Sequence, residues 1–277
     1  MGKIVGAFTA SHAPGLTGFP DRADPRQRAA VDAAFTEVRL RVQELDPDAV
    51  IAVSVEHFTN FFLSNLPAFA IATADSYLGP VTAEMAAFLR VDQRQYPGHA
   101  ALGEYLYRFA LESDFDPAMV AGELAFDENF CVPLEYIDPG SRLPLVPIIL
   151  NGVNPPCPNM TRCYDFGRMI KSAVQAQNIV ERVVVLGTGG LSHWVGMAES
   201  GQVNEVFDRD FLRRMESGDR SRLTDYSHDQ IEAAGNGAHE VRAWLVIAGA
   251  AGVPFETLAY QPVPEWLTGT AIAAARL

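Results

Sequence analysis

The chain has 277 residues, 48% of them hydrophobic and 20% charged, and carries a formal net charge of −13 at pH 7. It is long and apolar enough to bury a core as one α/β domain, which excludes a disordered chain. The acidic balance excludes a nucleic-acid partner, because phosphate binding needs a basic face, and the lack of a run of about 18 apolar residues excludes a membrane span.

In chain order, KIVGAFTA (3–10) reads as a buried strand and leads into SHAPG, which contains His12. The opening MGKIVGAFTASHAPG lacks the charged start and long apolar core of a signal peptide, so a cytoplasmic location is expected. A polar turn, FPDRADPRQR, precedes a helix over 25–45. DAVIAVSV (48–55) is continuous and β-branched, as a central parallel strand should be, and VEHF with His57 follows it. FTNFFLSNLPAF (58–69) suits core, substrate pocket or a contact surface equally. FAIATA (69–74) is a third strand. HAALGEYLYRFALES (99–113) has apolar residues at 102, 105, 106, 109 and 110, a helical spacing that His99 begins. PLVPIIL (144–150), VVVLGT (183–188) and TLAYQPV (257–263) are further strands, with helices near 162–176, 204–216 and 239–251. This alternation predicts an α/β fold over residues 1–277: one domain, a central largely parallel or mixed sheet, and helices on both faces.

Three cysteines, Cys131, Cys157 and Cys163, form an odd and sparse set that suits reduced thiols. Cys157 and Cys163 do not have the spacing of a zinc knuckle. Asn159-Met160-Thr161 matches the glycosylation pattern, but without a secretion signal the match reads as chance.

The histidines carry the chemistry. Of six, His12, His57 and His193 each follow an apolar strand closely, and His193 does so across Gly187-Thr188-Gly189-Gly190. Ligands of α/β sheets bind outside the carboxyl ends of strands, and the glycines permit a sharp turn that aims His193 into a shared crevice. Any one of the three, taken alone, reads more readily as a capping or hydrogen-bonding residue; three at equivalent places bring the two readings level. His228 lies in polar TDYSHDQ and reads as exposed.

In AAGNGAHEVRAWL, Gly235-Asn236-Gly237 marks a turn, and Glu240 falls in the first turn of an apolar helix. An acid there is favoured by the helix dipole. It is also what a metal site needs: two histidines and one carboxylate form a facial triad that leaves open positions on Fe(II). His12, His57 and Glu240 could supply it, with His193 as acid/base. Spacing alone does not choose among the histidines. His239 adjoins Glu240, but helix neighbours point about 100° apart.

Taken in order, SHAPG, VEHF, GTGGLSHW and GAHEVRAWL resemble the class III extradiol ring-cleaving dioxygenases. These include the protocatechuate 4,5-dioxygenase β-subunit, gallate dioxygenase, homoprotocatechuate 2,3-dioxygenase and 2,3-dihydroxyphenylpropionate 1,2-dioxygenase. The resemblance runs over nearly the whole chain, and VPIILNGVNPPCP and YQPVPEWLTGTA look most like the dihydroxyphenylpropionate branch. Carried over by position, it implies Fe(II) held by His12, His57 and Glu240, with His193 as acid/base. It also implies a small aromatic diol and O2 as reactants, aromatic catabolism as the setting, and a homo-oligomer that can include a small accessory subunit. Ser11, Glu56, Thr188 and Ser192 are candidates to orient these groups. Two other readings of the same pocket are a non-catalytic scaffold or binding protein and a zinc-dependent hydrolase.

One departure stands out. Where much of the family carries Asp-His-Gly, this chain has Asp127-Glu128-Asn129. Near a second acid, Glu128 should point away or have a raised pKa. Ionised, it accepts hydrogen bonds and donates none. The expectation is a neutral or donor-bearing catechol or aminophenol, in preference to protocatechuate or gallate.

Overall fold

The computed structural model describes residues 1–122 and 124–277. The strands among them are β1 (Lys3–Ala10), β2 (Ala49–Val55), β3 (Phe69–Ala72), β4 (Ser76–Gly79), β5 (Arg94–Pro97), β6 (Ala118–Val120), β7 (Leu145–Leu150), β8 (Arg182–Thr188), β9 (Phe255–Val263) and β10 (Thr268–Ala275). Eight join one sheet in the order β6-β3-β7-β2-β8-β1-β10-β9, while β4 and β5 pair separately. Its centre, β7-β2-β8-β1, is parallel. Towards the edges β3 runs antiparallel to β7, β10 to β1 and β9 to β10, so the sheet is mixed.

Successive side chains on a strand point to opposite faces, and the central strands feed two cores accordingly. Ile51, Val53, Val183 and Val185 pack on one face with the helices Ala100–Leu111, Met160–Ala176 and Val241–Ala251. Val50, Ala52, Val184 and Leu186 pack on the other with Pro25–Leu45 and Glu128–Ile137. Helices therefore cover both faces, as the alternation predicts. No helix of the described residues is long and apolar enough to cross a membrane.

Helix ends follow local chemistry. Asp24 caps Pro25–Leu45 by accepting from the Arg26 amide. His99 caps Ala100–Leu111 through the Leu102 amide. Asn159, of the apparent glycosylation pattern, caps Met160–Ala176 through the Arg162 amide. All three cysteines are free.

Several elements were not legible in the sequence, among them β4, β5 and β6, and two of them bear on the core and the site. TGTAIAAA forms β10 although alanine and glycine are poor strand formers. Pairing with β1 on one side and β9 on the other, with nearly every residue buried, overrides that propensity. Glu128–Ile137 is helical despite Pro133 and is started by the Asp127 carboxylate, which accepts from the Asn129 amide at 2.8 Å.

Candidate active site

The order β2-β8-β1 sets three parallel strands side by side, so their carboxyl ends lie at one edge about 5 Å apart. His12 comes two residues after β1 and His57 two after β2. Beyond β8 the chain turns through Gly189 at φ +153°, where an added Cβ would lie 2.9 Å from that of Glu240, and reaches His193. Glu240 arrives from the other side, at the end of a 3-10 turn (Asn236–Glu240) that opens the helix Val241–Ala251. The Trp244 indole donates to the Gly189 carbonyl at 3.1 Å, and the Gly190 amide donates to Glu240, so helix and turn are locked together.

The structure brings His12, His57, His193 and Glu240 together. Glu240 is buried, and all three imidazole Nε2 atoms face its carboxylate, at 3.1 Å for His12, 3.3 Å for His57 and 3.4 Å for His193. The rings of His12 and His57 meet edge to face at 5.0 Å. One donor atom each from His12, His57 and Glu240 lies within 4.8 Å of the others. Burial alone would raise the Glu240 pKa, but the His12 and His193 imidazoles outweigh it and hold the carboxyl well below its ordinary range. Burial likewise opposes charge on His57, yet Asp127 and Glu240 raise its pKa well above the ordinary value.

The outer nitrogens show how each ring is oriented. His57 Nδ1 faces Asp127 Oδ1 at 3.2 Å and Glu128 Oε1 at 3.4 Å; a carboxylate only accepts, so Nδ1 carries a proton, and Nε2, which faces Glu240, is the nitrogen a metal ion would take in exchange for its own proton. His193 Nδ1 likewise carries a proton, donated to the Leu191 carbonyl at 2.9 Å. His12 Nδ1 meets the Thr188 hydroxyl at 3.4 Å. Gly237 approaches the His193 ring so closely that an added Cβ would sit 2.1 Å from Nε2.

The remaining sequence candidates lie one step further out. Ser11 Oγ accepts from the Ala271 amide and ties the end of β1 to β10. Glu56 accepts from the Thr59 and Asn60 amides and shapes the turn after His57. Glu128 lines the cavity, and burial raises its pKa against the pull of His57. His228 is exposed and stacks on His239 at 4.5 Å.

His228, Glu232 and His239 form a second group within donor reach of one another. Arg242 donates to His239 Nδ1, so Nε2 keeps the ring's proton and donates it to Glu232 at 2.7 Å. A nitrogen that bears a proton is no ligand. Burial first and Arg242 second push the His239 pKa down to about 4, so the ring is neutral at pH 7.

Two residues escaped sequence reasoning. Asp127 was legible only as the acid preceding Glu128; packing places it on His57. Asp208 had no signal, since it sits among the charges of the helix Glu205–Ser217. Its carboxylate accepts from the Ser192 amide (2.8 Å), the Ser192 hydroxyl (3.0 Å) and the Tyr260 hydroxyl (2.9 Å), and so fixes the turn that carries His193. Burial pushes its pKa up to about 6, against those bonds. The folded carboxyl then holds its proton more tightly than the unfolded one. Its stabilising contribution is full below the unfolded pKa of about 4 and is lost as pH rises through about 6. Asp208→Asn lacks this component. Its stability deficit, read from urea unfolding, should shrink by about 1–3 kcal/mol between pH 4 and pH 8; a deficit that grows with pH would contradict the assignment.

These side chains floor a cavity of about 540 Å³, walled by residues that include Phe58, Val153, Trp194, Trp266 and Leu267. A family model described as the catalytic LigB subunit of aromatic ring-opening dioxygenase matches residues 6–271. The chain belongs to this family. As a LigB-family protein it is a ring-cleaving dioxygenase, acting on aromatic compounds with O2. Three relatives are named 2,3-dihydroxyphenylpropionate/2,3-dihydroxicinnamic acid 1,2-dioxygenase. Those of Klebsiella pneumoniae, Dechloromonas aromatica and Escherichia coli O139:H28 are each 27% identical to this LigB-family chain. The alignments cover 94%, 89% and 96% of this chain and 94%, 91% and 96% of the relatives. The crystal structure of the uncharacterized protein JW3007 from Escherichia coli K12 shares the fold, with a TM-score of 0.61 and 12% identity over 98% of this chain and 99% of that one.

Proposed function

We propose that this chain is a non-haem Fe(II)-dependent extradiol dioxygenase. It opens the ring of a catechol-type or aminophenol-type aromatic beside the diol, and residues 1–277 form its one catalytic domain. The observation that carries this reading is the convergence of three Nε2 atoms on the buried Glu240 carboxylate at the floor of the cavity.

The donor set suits ferrous iron. Two imidazoles and one carboxylate are the facial set that leaves coordination positions open, and their donor atoms converge closely enough for one cation to take the place of the protons between them. His12, His57 and Glu240 would hold the ion. Bound there, ferrous iron supplies Lewis acidity and the redox capacity to engage dioxygen. Asp127 holds the His57 ring with Nε2 inward. His193 is the acid/base: with Nδ1 committed to Leu191, its Nε2 faces the cavity, where it takes a proton from a diol hydroxyl and later returns it. Trp194 and Trp266 shield the reacting ring from water.

A cytoplasmic homo-oligomer, with or without a small accessory subunit, completes the proposal. Exposed Phe58, Phe62 and Leu63 support assembly.

Metal analysis of anaerobically purified protein, paired with dioxygen uptake on catechol and 2-aminophenol, tests the reading. About one iron per chain and uptake matched by ring-opened product are expected. Zinc in place of iron, or iron without uptake on either compound, would overturn it.

A further inference from the structure

The walls of the cavity bear on which diol enters. We infer that the substrate is a catechol-type ring whose substituent is uncharged and apolar, and that a carboxylate-bearing side chain is disfavoured; this rests on the function proposed above.

Among the described residues, no lysine or arginine lines the cavity. Its carboxylates are Glu128 and Glu240. Glu240 is enclosed by imidazoles, while Glu128 stands beside His57 and offers no positive charge in either protonation state. Sites that recognise carboxylates use an arginine fork or a lysine; without one, a buried carboxylate keeps its desolvation penalty.

Neutral donors fill the gap poorly: the Ser200 hydroxyl lines the cavity but is exposed, where water competes for it, and those of Asn236 and Thr268 are committed. The Asn236 amide is committed to Val195, accepting from its amide at 2.8 Å and donating to its carbonyl at 3.0 Å. The Thr268 hydroxyl donates to the Gly269 carbonyl at 3.2 Å.

Most of the rest of the wall is apolar, including most of its exposed side. Phe58, Val195 and Leu267 line the cavity while 41%, 60% and 48% exposed. A substituent leaving the ring along this path meets hydrocarbon and indole up to the solvent. The volume of about 540 Å³ exceeds what one aromatic ring fills, so the apolar path has room for a substituent. The net charge of −13 also opposes the approach of an anion.

The sharpest test changes only the charge. Iron-loaded protein is given 2,3-dihydroxyphenylpropionate and its methyl ester. Binding is measured by anaerobic calorimetry and kcat/KM by dioxygen uptake. The ester should bind at least tenfold more tightly and turn over with at least tenfold higher kcat/KM. Equal or tighter binding of the acid, with both compounds cleaved, overturns the substituent class and leaves the dioxygenase reading standing. Binding of neither compound, with no uptake, overturns both.

Discussion

His193→Ala is expected to retain its metal and still bind a diol, yet to lose about 10²–10⁴-fold in turnover, the usual scale for a lost general acid/base. His193 Nε2 lies 3.4 Å from Glu240, further than the Nε2 atoms of His12 and His57. Its ring is held from behind by the Leu191 carbonyl and hemmed in by Gly237, which suits a group that must keep one orientation through proton transfer. Removing it leaves the His12, His57 and Glu240 donors in place, so metal content and activity should separate. Metal analysis, anaerobic calorimetry with catechol and dioxygen uptake on one preparation give the three readouts. Loss of iron along with activity would make His193 a ligand and sink the acid/base assignment.

The ligand variants should behave in the opposite way. His12→Ala, His57→Ala and Glu240→Ala are each expected to lower iron affinity by more than about 10²-fold, because residues that merely orient ligands already contribute about 10–100-fold. Glu240 should matter most. It is the group that both ligating Nε2 atoms face, and without it two imidazoles must hold a dication with no opposing charge. Asp127→Asn provides the graded control: it keeps the shape behind His57 but weakens the acceptor of its Nδ1 proton, and should fall within the 10–100-fold range. Competitive chelator titration with iron content as the readout measures all four. Full iron occupancy in any alanine variant would remove that residue from the set.

His239 shows how far sequence reasoning reaches. It adjoins Glu240 and has the right chemistry, and helix geometry alone argues that the two point apart. The structure adds a reason: Arg242 and Glu232 occupy both nitrogens of His239. Glu128 is a different case. The sequence marks it as a departure and foresees either a side chain turned away or a raised pKa. It lines the cavity, and burial raises its pKa.

The sequence by itself determined the elements with strong local signals. Largely apolar runs became β1, β2, β7 and β8, because the stretches of a strand buried on both faces must be largely apolar. The histidines after those runs were legible for the same reason, since a polar residue that ends such a run marks the sheet edge where ligands bind. What only the tertiary structure decided depends on partners distant in the chain. β10 forms because β1 and β9 flank it. Asp127 meets His57 across 70 positions, and Asp208, on the helix Glu205–Ser217, reaches Ser192 across 16. The bareness of the cavity walls is likewise invisible in one dimension. The chain carries 21 lysines and arginines, and only folding decides that, among the described residues, none of them lines the cavity over Glu240.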